Sequence, residues 1–275
     1  MKKDYPRVLT IQDISCFGQC SLTVALPIIS ACGIEACPLP SAVLSTHTGG
    51  SFSGYTFRDL TEDFPGICAH WKKQGIDFDI VYSGYLGSKR QIALVGDIMR
   101  DFGSLSVVDP AMADNGRLYG GFDGEFVEAM RPLCAAADII LPNITEACLL
   151  TGIKYRESYD EGYIRELLAA LSPDGRTVIL TGVSLDAGTT GVAVYDGSDT
   201  YFYRHERFDR CCHGTGDIYA SVVVGALARG KSVADAAKIA ADFTVLCIKN
   251  TAGDSAHWYG VRFEPMLGRL IEMLK

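Results

Sequence analysis

The stretch FDIVYSGYLGSKRQIALVGDIMRDFGSLSVVDP, Phe78 to Pro110, decides the fold. FDIVYSG (78–84) is a short apolar, β-branched run that reads as a buried strand, and Ser83-Gly84-Tyr85 follow its apolar core. SKRQIALVGDIMRDFG (88–103) repeats its apolar residues at helical spacing, and LSVVDP (105–110) is a second buried strand. A strand, a helix and a strand in this order predict a parallel sheet with helices laid over it.

The same alternation extends in both directions. RVLTIQD (7–13), DIILPN (138–143) and TVILTG (177–182) predict further buried strands. SLTVALPIISACG (21–33), GEFVEAMRPLCAAA (124–137) and YIRELLAALS (163–172) predict helices, and Pro27 should kink the first or sit near its end. TTGVAVYD, a turn at Gly197-Ser198 and TYFYRHE predict a hairpin. Two helices are expected after it. One starts near Thr215 and stops before Gly230; the other has Ser232 as N-cap with Asp235 three residues on. No linker, repeat or low-complexity stretch divides residues 1–275. The expectation is one α/β domain in three α/β/α layers around a central, mostly parallel sheet.

Composition narrows the function. The 275 residues are 48% hydrophobic and 21% charged, enough to bury a substantial core, and the formal net charge is -8. With no Lys/Arg cluster, nucleic acid is not an expected partner. An anionic ligand would have to be held locally, by backbone N–H groups or a metal ion. Ten cysteines, at 16, 20, 32, 37, 68, 134, 148, 211, 212 and 247, contain no Cys-x-x-Cys and no zinc-site spacing. Cys211 and Cys212 are neighbours, and a bridge between them would be strained, since adjacent Cα atoms lie about 3.8 Å apart. Reduced thiols in a cytoplasmic protein are expected. The N-terminus MKKDYPRVLTIQD lacks a signal-type apolar region, and no apolar run is long enough to span a membrane.

In parallel α/β sheets, ligands bind beyond the carboxyl ends of the strands. All five buried strands end in residues suited to that: Asp13, Ser83-Gly84-Tyr85, Asp109-Pro110, Pro142-Asn143 and Thr181-Gly182. Polar turns are common at strand ends and account for some of these. The run CCHGTGDIYAS (211–221) adds a second feature. Gly214-Thr215-Gly216 precedes a helical apolar pattern, so successive N–H groups can converge at the positive end of a helix and cradle phosphate. Asp217 at the same helix start either complements the helix dipole or serves as a base beside the bound phosphate. GYLGSKR (84–90) lacks P-loop spacing.

These residues carry a resemblance. A late Gly-Thr-Gly-Asp in an α/β chain is similar to the ribokinase superfamily, and within it the chain resembles the pyridoxal kinase family over nearly its whole length. Ser45-Thr46-His47-Thr48-Gly49 resembles the family's Ser-Asn-His-Thr segment over the vitamin ring, and Ser83-Gly84-Tyr85-Leu86-Gly87 its Gly-Tyr segment. Asp109-Pro110-Ala111-Met112-Ala113-Asp114 resembles Asp-Pro-Val-Met-Gly-Asp, and Pro142-Asn143-Ile144-Thr145-Glu146 resembles Pro-Asn-x-x-Glu. The motifs follow in the family's order.

The resemblance implies an ATP-dependent kinase of pyridoxal, pyridoxine and pyridoxamine. Asp217 would take the proton of the 5′-hydroxymethyl group, and the N–H groups of Gly214, Thr215 and Gly216 would hold the transferring charge. Asp109, Asp114, Asn143, Glu146 and Thr181 would serve the nucleotide, with Mg²⁺ held by Asn143 and Glu146 through water. Asp13, His47, Thr48, Gly49 and Tyr85 would line the vitamin pocket, and residues 111–121 would form a lid. A K⁺ ion and a homodimer are also implied by the family.

The chain departs from the family pattern in three places. Asp13 stands where Ser is usual, so a carboxylate could meet a protonated ring nitrogen or an exocyclic amine. Ala113 replaces a lid glycine, and Cys211-Cys212-His213 replaces other residues before Gly214, with packing the expected role of Cys212 and His213. His70 and His205 carry no motif. Two alternatives stay open. A hydroxymethylpyrimidine kinase of thiamine synthesis would have Gly-Ser-Asp-x-Ser-Gly-Gly where this chain has QDISCFGQCS (12–21). A non-catalytic B6- or nucleotide-binding protein would not need Asp217, Asn143 and Glu146 intact.

Overall fold

The structure is a computed structural model and describes residues 5–50, 52–208 and 213–275. Its centre is a nine-stranded sheet. In chain order the strands are β1 (Arg7–Ser15), β2 (Glu35–Leu44), β3 (Phe57–Asp59), β4 (Phe78–Ser83) and β5 (Gly103–Val108). A two-stranded ribbon follows, β6 (Ala113–Asp114) and β7 (Arg117–Leu118), and then β8 (Ile139–Ile140), β9 (Thr177–Asp186), β10 (Thr189–Tyr195) and β11 (Thr200–Glu206). The sheet order is β11-β10-β9-β8-β5-β4-β1-β2-β3. The six strands from β9 to β2 run parallel; antiparallel pairing adds β3 at one end and β10 then β11 at the other.

The nine helices among the described residues divide between the two faces. Helices α1 (Leu22–Ala31), α7 (Thr215–Ala228), α8 (Val233–Thr251) and α9 (Leu267–Met273) cover one. Helices α2 (Phe64–Gln74), α3 (Lys89–Phe102), α4 (Gly124–Ala136), α5 (Ile144–Thr151) and α6 (Glu161–Leu171) cover the other. Strand side chains alternate between the two cores: Ile80 and Tyr82 join the α1/α7 side, and Val81 the α3 side. On α3, Ile92, Val95, Ile98, Met99 and Phe102 form the buried stripe that the helical spacing predicts, and the Ser88 hydroxyl caps its start by accepting from the Gln91 N–H.

Two differences from the sequence reading have physical causes. β2 was hidden by Pro38 and Pro40. Two residues apart, both imide nitrogens point to the outer side of β2, where β3 pairs only with Ala42–Leu44, so no ladder bond is lost. β8 is two residues long rather than six, because Pro142 has no N–H; single bonds from Leu141 N–H to Val108 O (2.9 Å) and Thr181 N–H to Pro142 O (2.9 Å) carry the pairing on. Helix α9 makes a third helix after the hairpin. Pro27 lies inside α1, and Pro132 inside α4.

Candidate active site

Strands β1, β4, β5, β8 and β9 deliver the predicted polar residues to one edge of the sheet, and α7 starts above them. Gly214 is the N-cap of α7 with φ 83°, a left-handed conformation that favours glycine. A side chain there would also place Cβ 2.0 Å from the Gln19 carbonyl, so glycine is required twice over. Gly216 faces open space. The first turn of α7 thus brings its backbone N–H groups beside the Asp217 carboxylate.

Asp217 is recessed, and the backbone N–H of Ser21 donates to its carboxylate. Loss of hydration on burial pushes its carboxyl up to about 7, and the nearby charges of Asp109 and Asp13 add to the rise. Ser21 also reaches Asp13, which accepts from the Ser21 hydroxyl and, at 3.0 Å, from Ser15 Oγ. Asp13 sits at the irregularity of β1, where the register moves from Gln12 opposite Pro40 to Ile14 opposite Val43. It is 4% exposed, and burial raises its carboxyl. Ser21 adopts φ 56°, outside the range that non-glycine residues favour. Nothing in the local sequence marked Ser21 as part of the site.

A second acidic pair lies across the site. Asn143 and Glu146 form a reciprocal capping box at the start of α5: Glu146 N–H donates to Asn143 Oδ1 (3.0 Å) and Asn143 N–H to Glu146 Oε2 (2.9 Å). Glu146 Oε1 accepts from the N–H groups of Met112 (2.8 Å) and Ala113 (3.3 Å), and Asn143 Nδ2 donates to the Ala113 carbonyl (2.7 Å). Thr145 Oγ1 accepts from Gly116 N–H at 2.9 Å. The expected lid segment 111–121 is therefore in part an anchored ribbon, turned at Asn115-Gly116 with both φ values positive. Ala113 is fully buried there, and the positive φ falls on Ala111 (38°). Burial raises Asp109 well above the usual carboxylate range, and the charge of Glu146 raises it further; burial raises Glu146 as well.

The other predicted residues divide by role. Both His47 ring nitrogens are engaged: Nδ1 accepts from Gly49 N–H (3.1 Å), which leaves Nε2–H to donate to the Tyr259 carbonyl (2.7 Å). His47 therefore orders its own loop, while Thr48 is exposed. The His213 ring packs 4.9 Å from that of His47 and against Gly49 and Gly50. Cys211 and Cys212 lie outside the described residues. Tyr85 stacks on Phe122 at 5.6 Å, and its hydroxyl is pushed up to about 12 by burial, with the Asp13 charge second. Asp114 and Asn143, with Thr145, Tyr155, Gly182 and Arg207, line a cavity of about 370 Å³, and Thr181 precedes Gly182 in the chain. The sequence reading missed Arg207 and Tyr155. It also missed the segment His257–Gly260, which packs Tyr259 against Phe17 (4.7 Å) and Trp258 against Phe52 (4.7 Å). Its signal was a short aromatic-rich stretch between the last two helices.

Comparison with known proteins identifies the family. The sequence profile of the family described as phosphomethylpyrimidine kinase matches residues 29–260. A Bacteroides thetaiotaomicron protein, described as a candidate phosphomethylpyrimidine kinase and crystallised in an orthorhombic form with pyridoxal, is 39% identical, with a TM-score of 0.91 over 97% of this chain and 96% of its own. Pyridoxal kinase from Lactobacillus plantarum is 32% identical, with a TM-score of 0.90 over 98% of this chain and 97% of its own. The thiamine biosynthetic bifunctional enzyme of Arabidopsis thaliana is 27% identical over 96% of this chain and 52% of that enzyme, so the chain spans about half its length. The chain belongs to the phosphomethylpyrimidine kinase family of the ribokinase-like superfamily, alongside the pyridoxal kinases.

Proposed function

We propose that the protein transfers the γ-phosphoryl group of ATP to the 5′-hydroxymethyl group of pyridoxal, pyridoxine or pyridoxamine. The observation that carries this reading is Asp217, a recessed carboxyl pushed up to about 7 at the mouth of the Gly214–Gly216 nest. A base with that proton affinity accepts a proton most effectively near neutral pH. The likeness to a pyridoxal kinase and to a protein crystallised with pyridoxal supports vitamin B6 as the acceptor.

Asp217 receives the hydroxymethyl proton while Ser21 N–H holds its carboxylate in place. The N–H groups of Gly214, Thr215 and Gly216 stabilise charge on the transferring group from the positive end of α7. The phosphates lie in the cavity near Asn143, Thr145 and Gly182. Magnesium brought with ATP would neutralise phosphate charge. The donor set fits it: Asp109, Asn143 and Glu146 offer only hard oxygen ligands, and two raised carboxylates gain from a cation. Both Glu146 oxygens already accept backbone N–H groups, so Glu146 would hold the ion through its waters. Asp13 and Tyr85 face the ring. A K⁺ ion, a homodimer and a cytoplasmic location belong to the same reading; no described helix is long and apolar enough to cross a membrane.

The family description and the likeness to the thiamine biosynthetic enzyme favour a second reading, phosphorylation of hydroxymethylpyrimidine at the same base. ADP release with Mg-ATP, measured against the three vitamers and hydroxymethylpyrimidine, separates the two. Turnover of the vitamers is expected. Turnover of the pyrimidine alone selects the second reading, and no ADP release with any acceptor overturns both.

A further inference from the structure

One helical turn beyond Asp217, Ser221 places its hydroxyl in the interface between α7 and the sheet. Thr10 and Gln12 of β1 and Tyr82 of β4 come up from the sheet on the same face. Thr10 pairs in register with Tyr82, and Gln12 Nε2 donates to Thr10 Oγ1 at 3.0 Å. All four side chains are 0% exposed, inside a layer otherwise built from residues such as Val24, Ile80, Ile218 and Val222.

Three polar atoms of this column, Gln12 Oε1, Tyr82 Oη and Ser221 Oγ, lack a well-formed hydrogen bond among the described residues. Tyr82 Oη nevertheless lies within polar reach of both Gln12 and Ser221, and it feels the charges of Asp109 and Asp217. Gln12 cannot turn away. A Cβ on Gly84 would stand 2.7 Å from Gln12 Cδ and Oε1, so these two residues are fitted to one another. Buried polar atoms in native proteins are satisfied, by ordered water where protein atoms do not reach. Aliphatic side chains would fill this layer without such a demand, so the polar column calls for a use.

We propose that Tyr82, Ser221 and Gln12 hold a water-bridged hydrogen-bond column that runs from the sheet interior to the Asp217 carboxylate, with Tyr82 as a positioning residue for the base. The functional half of this inference rests on Asp217 being the proton acceptor. The groups that act on Asp217 show why a donor column matters. Asp109 and Asp13 face it and disfavour its ionised form, Ser21 N–H favours it, and its own charge helps keep the Cys20 thiol protonated. A neutral hydroxyl delivered from below through water adds to the favourable side and restricts the carboxylate to one orientation.

The test is Tyr82→Phe, which keeps the ring and removes the hydroxyl. Its primary readout needs no turnover: the ¹³C-carboxylate titration of aspartate-labelled protein, with the Asp217 resonance assigned by Asp217→Asn. The Asp217 midpoint should rise by about half to one pH unit. In the kinase assay kcat should fall roughly 3- to 10-fold at pH 7 and its acid limb should move the same way, with KM for the acceptor unchanged. Ser221→Ala should follow Tyr82→Phe, and Ser221→Thr, which keeps a hydroxyl, should stay near wild type. An unmoved Asp217 midpoint in folded Tyr82→Phe overturns the column. If Tyr82→Phe does not fold, the Asp217 midpoint in Ser221→Ala decides the column in the same way. Absence of ADP release from the wild-type protein overturns the kinase reading and leaves the titration result to decide the column.

Discussion

The backbone N–H of Ser21 donates to the carboxylate of Asp217, while the Ser21 hydroxyl donates to Asp13. One residue at the entrance of α1 thus ties the proposed base on α7 to the acidic floor of the proposed acceptor pocket on β1. The contact requires Ser21 to hold φ 56°. Backbone strain of this kind persists only where its surroundings over-determine it.

This relationship sets apart two substitutions at position 21. Ser21→Gly keeps the N–H and relieves the φ, so kcat should stay within several-fold of wild type and stability within about 1 kcal/mol. Ser21→Pro removes the N–H and cannot adopt a positive φ, so activity and stability should both fall sharply. Steady-state turnover and thermal unfolding of the two variants check this.

Asp217→Asn should fold and lose roughly 10²–10⁴-fold in kcat, because the amide keeps the shape and removes the proton acceptor. ADP release under saturating substrates measures it. Near-wild-type turnover would remove Asp217 from the mechanism.

The pH profile follows from the same carboxyl. Asp217 must be ionised to accept a proton, and its carboxyl sits near 7. Below that pH, kcat/KM should therefore fall by about tenfold per unit. Stability should run the other way. Between about 4 and 7 the folded state holds a proton that the unfolded chain has released, so Asp217 costs stability progressively as pH rises through that window. Asp217→Asn removes the cost and should raise Tm at pH 8 but not at pH 4. Because the carboxyl is only partly buried, the gain at pH 8 should be about 1–3 kcal/mol.

Gly214 and Gly216 should separate folding from chemistry. Gly214→Ala puts a methyl 2.0 Å from the Gln19 carbonyl at a positive φ and should destabilise the protein by several kcal/mol, at least about 2. Gly216→Ala meets no atom within 4 Å beyond its chain neighbours and its own helix backbone, so Tm should hold. Its methyl would crowd the phosphate side of the nest, so turnover should fall. A Gly216→Ala enzyme with full activity would show that phosphate does not approach that backbone.

Glu146 tests the anchored ribbon. Glu146→Ala leaves the N–H groups of Met112, Ala113 and Asn143 without their acceptor. Hydrogen exchange at these three amides should speed up by at least about tenfold, while amides of β1 and β4 stay protected.

Much of the architecture was legible because it is written in local patterns. The apolar runs of β1, β4, β5 and β9 and the stripe on α3 follow directly from their periods. Short or compromised elements were not legible. α2 buries only Phe64 among its own residues, so its sequence carries almost no stripe. β2 carries two prolines that an inner strand would not tolerate, and it is tolerable only because β3 covers so little of it. In the site, the glycine nest and Asp217 were visible, while Ser21, Arg207 and the Tyr82–Ser221 pair were not, since none belongs to a motif.

The sequence by itself determined the alternation of strands and helices, the polar residues at the strand ends and a glycine-lined start to α7. These are properties of neighbouring residues and of backbone conformation, which short-range sterics govern. Only the tertiary structure decided that Asp13, Asp109 and Asp217 act on one another, that Glu146 spends its carboxylate on the ribbon, and that His47 orders a loop. It also decided that Asp217 titrates near neutrality. Desolvation and charge–charge repulsion depend on distances between groups far apart in the chain, and those distances exist only once the sheet has brought its strand ends together.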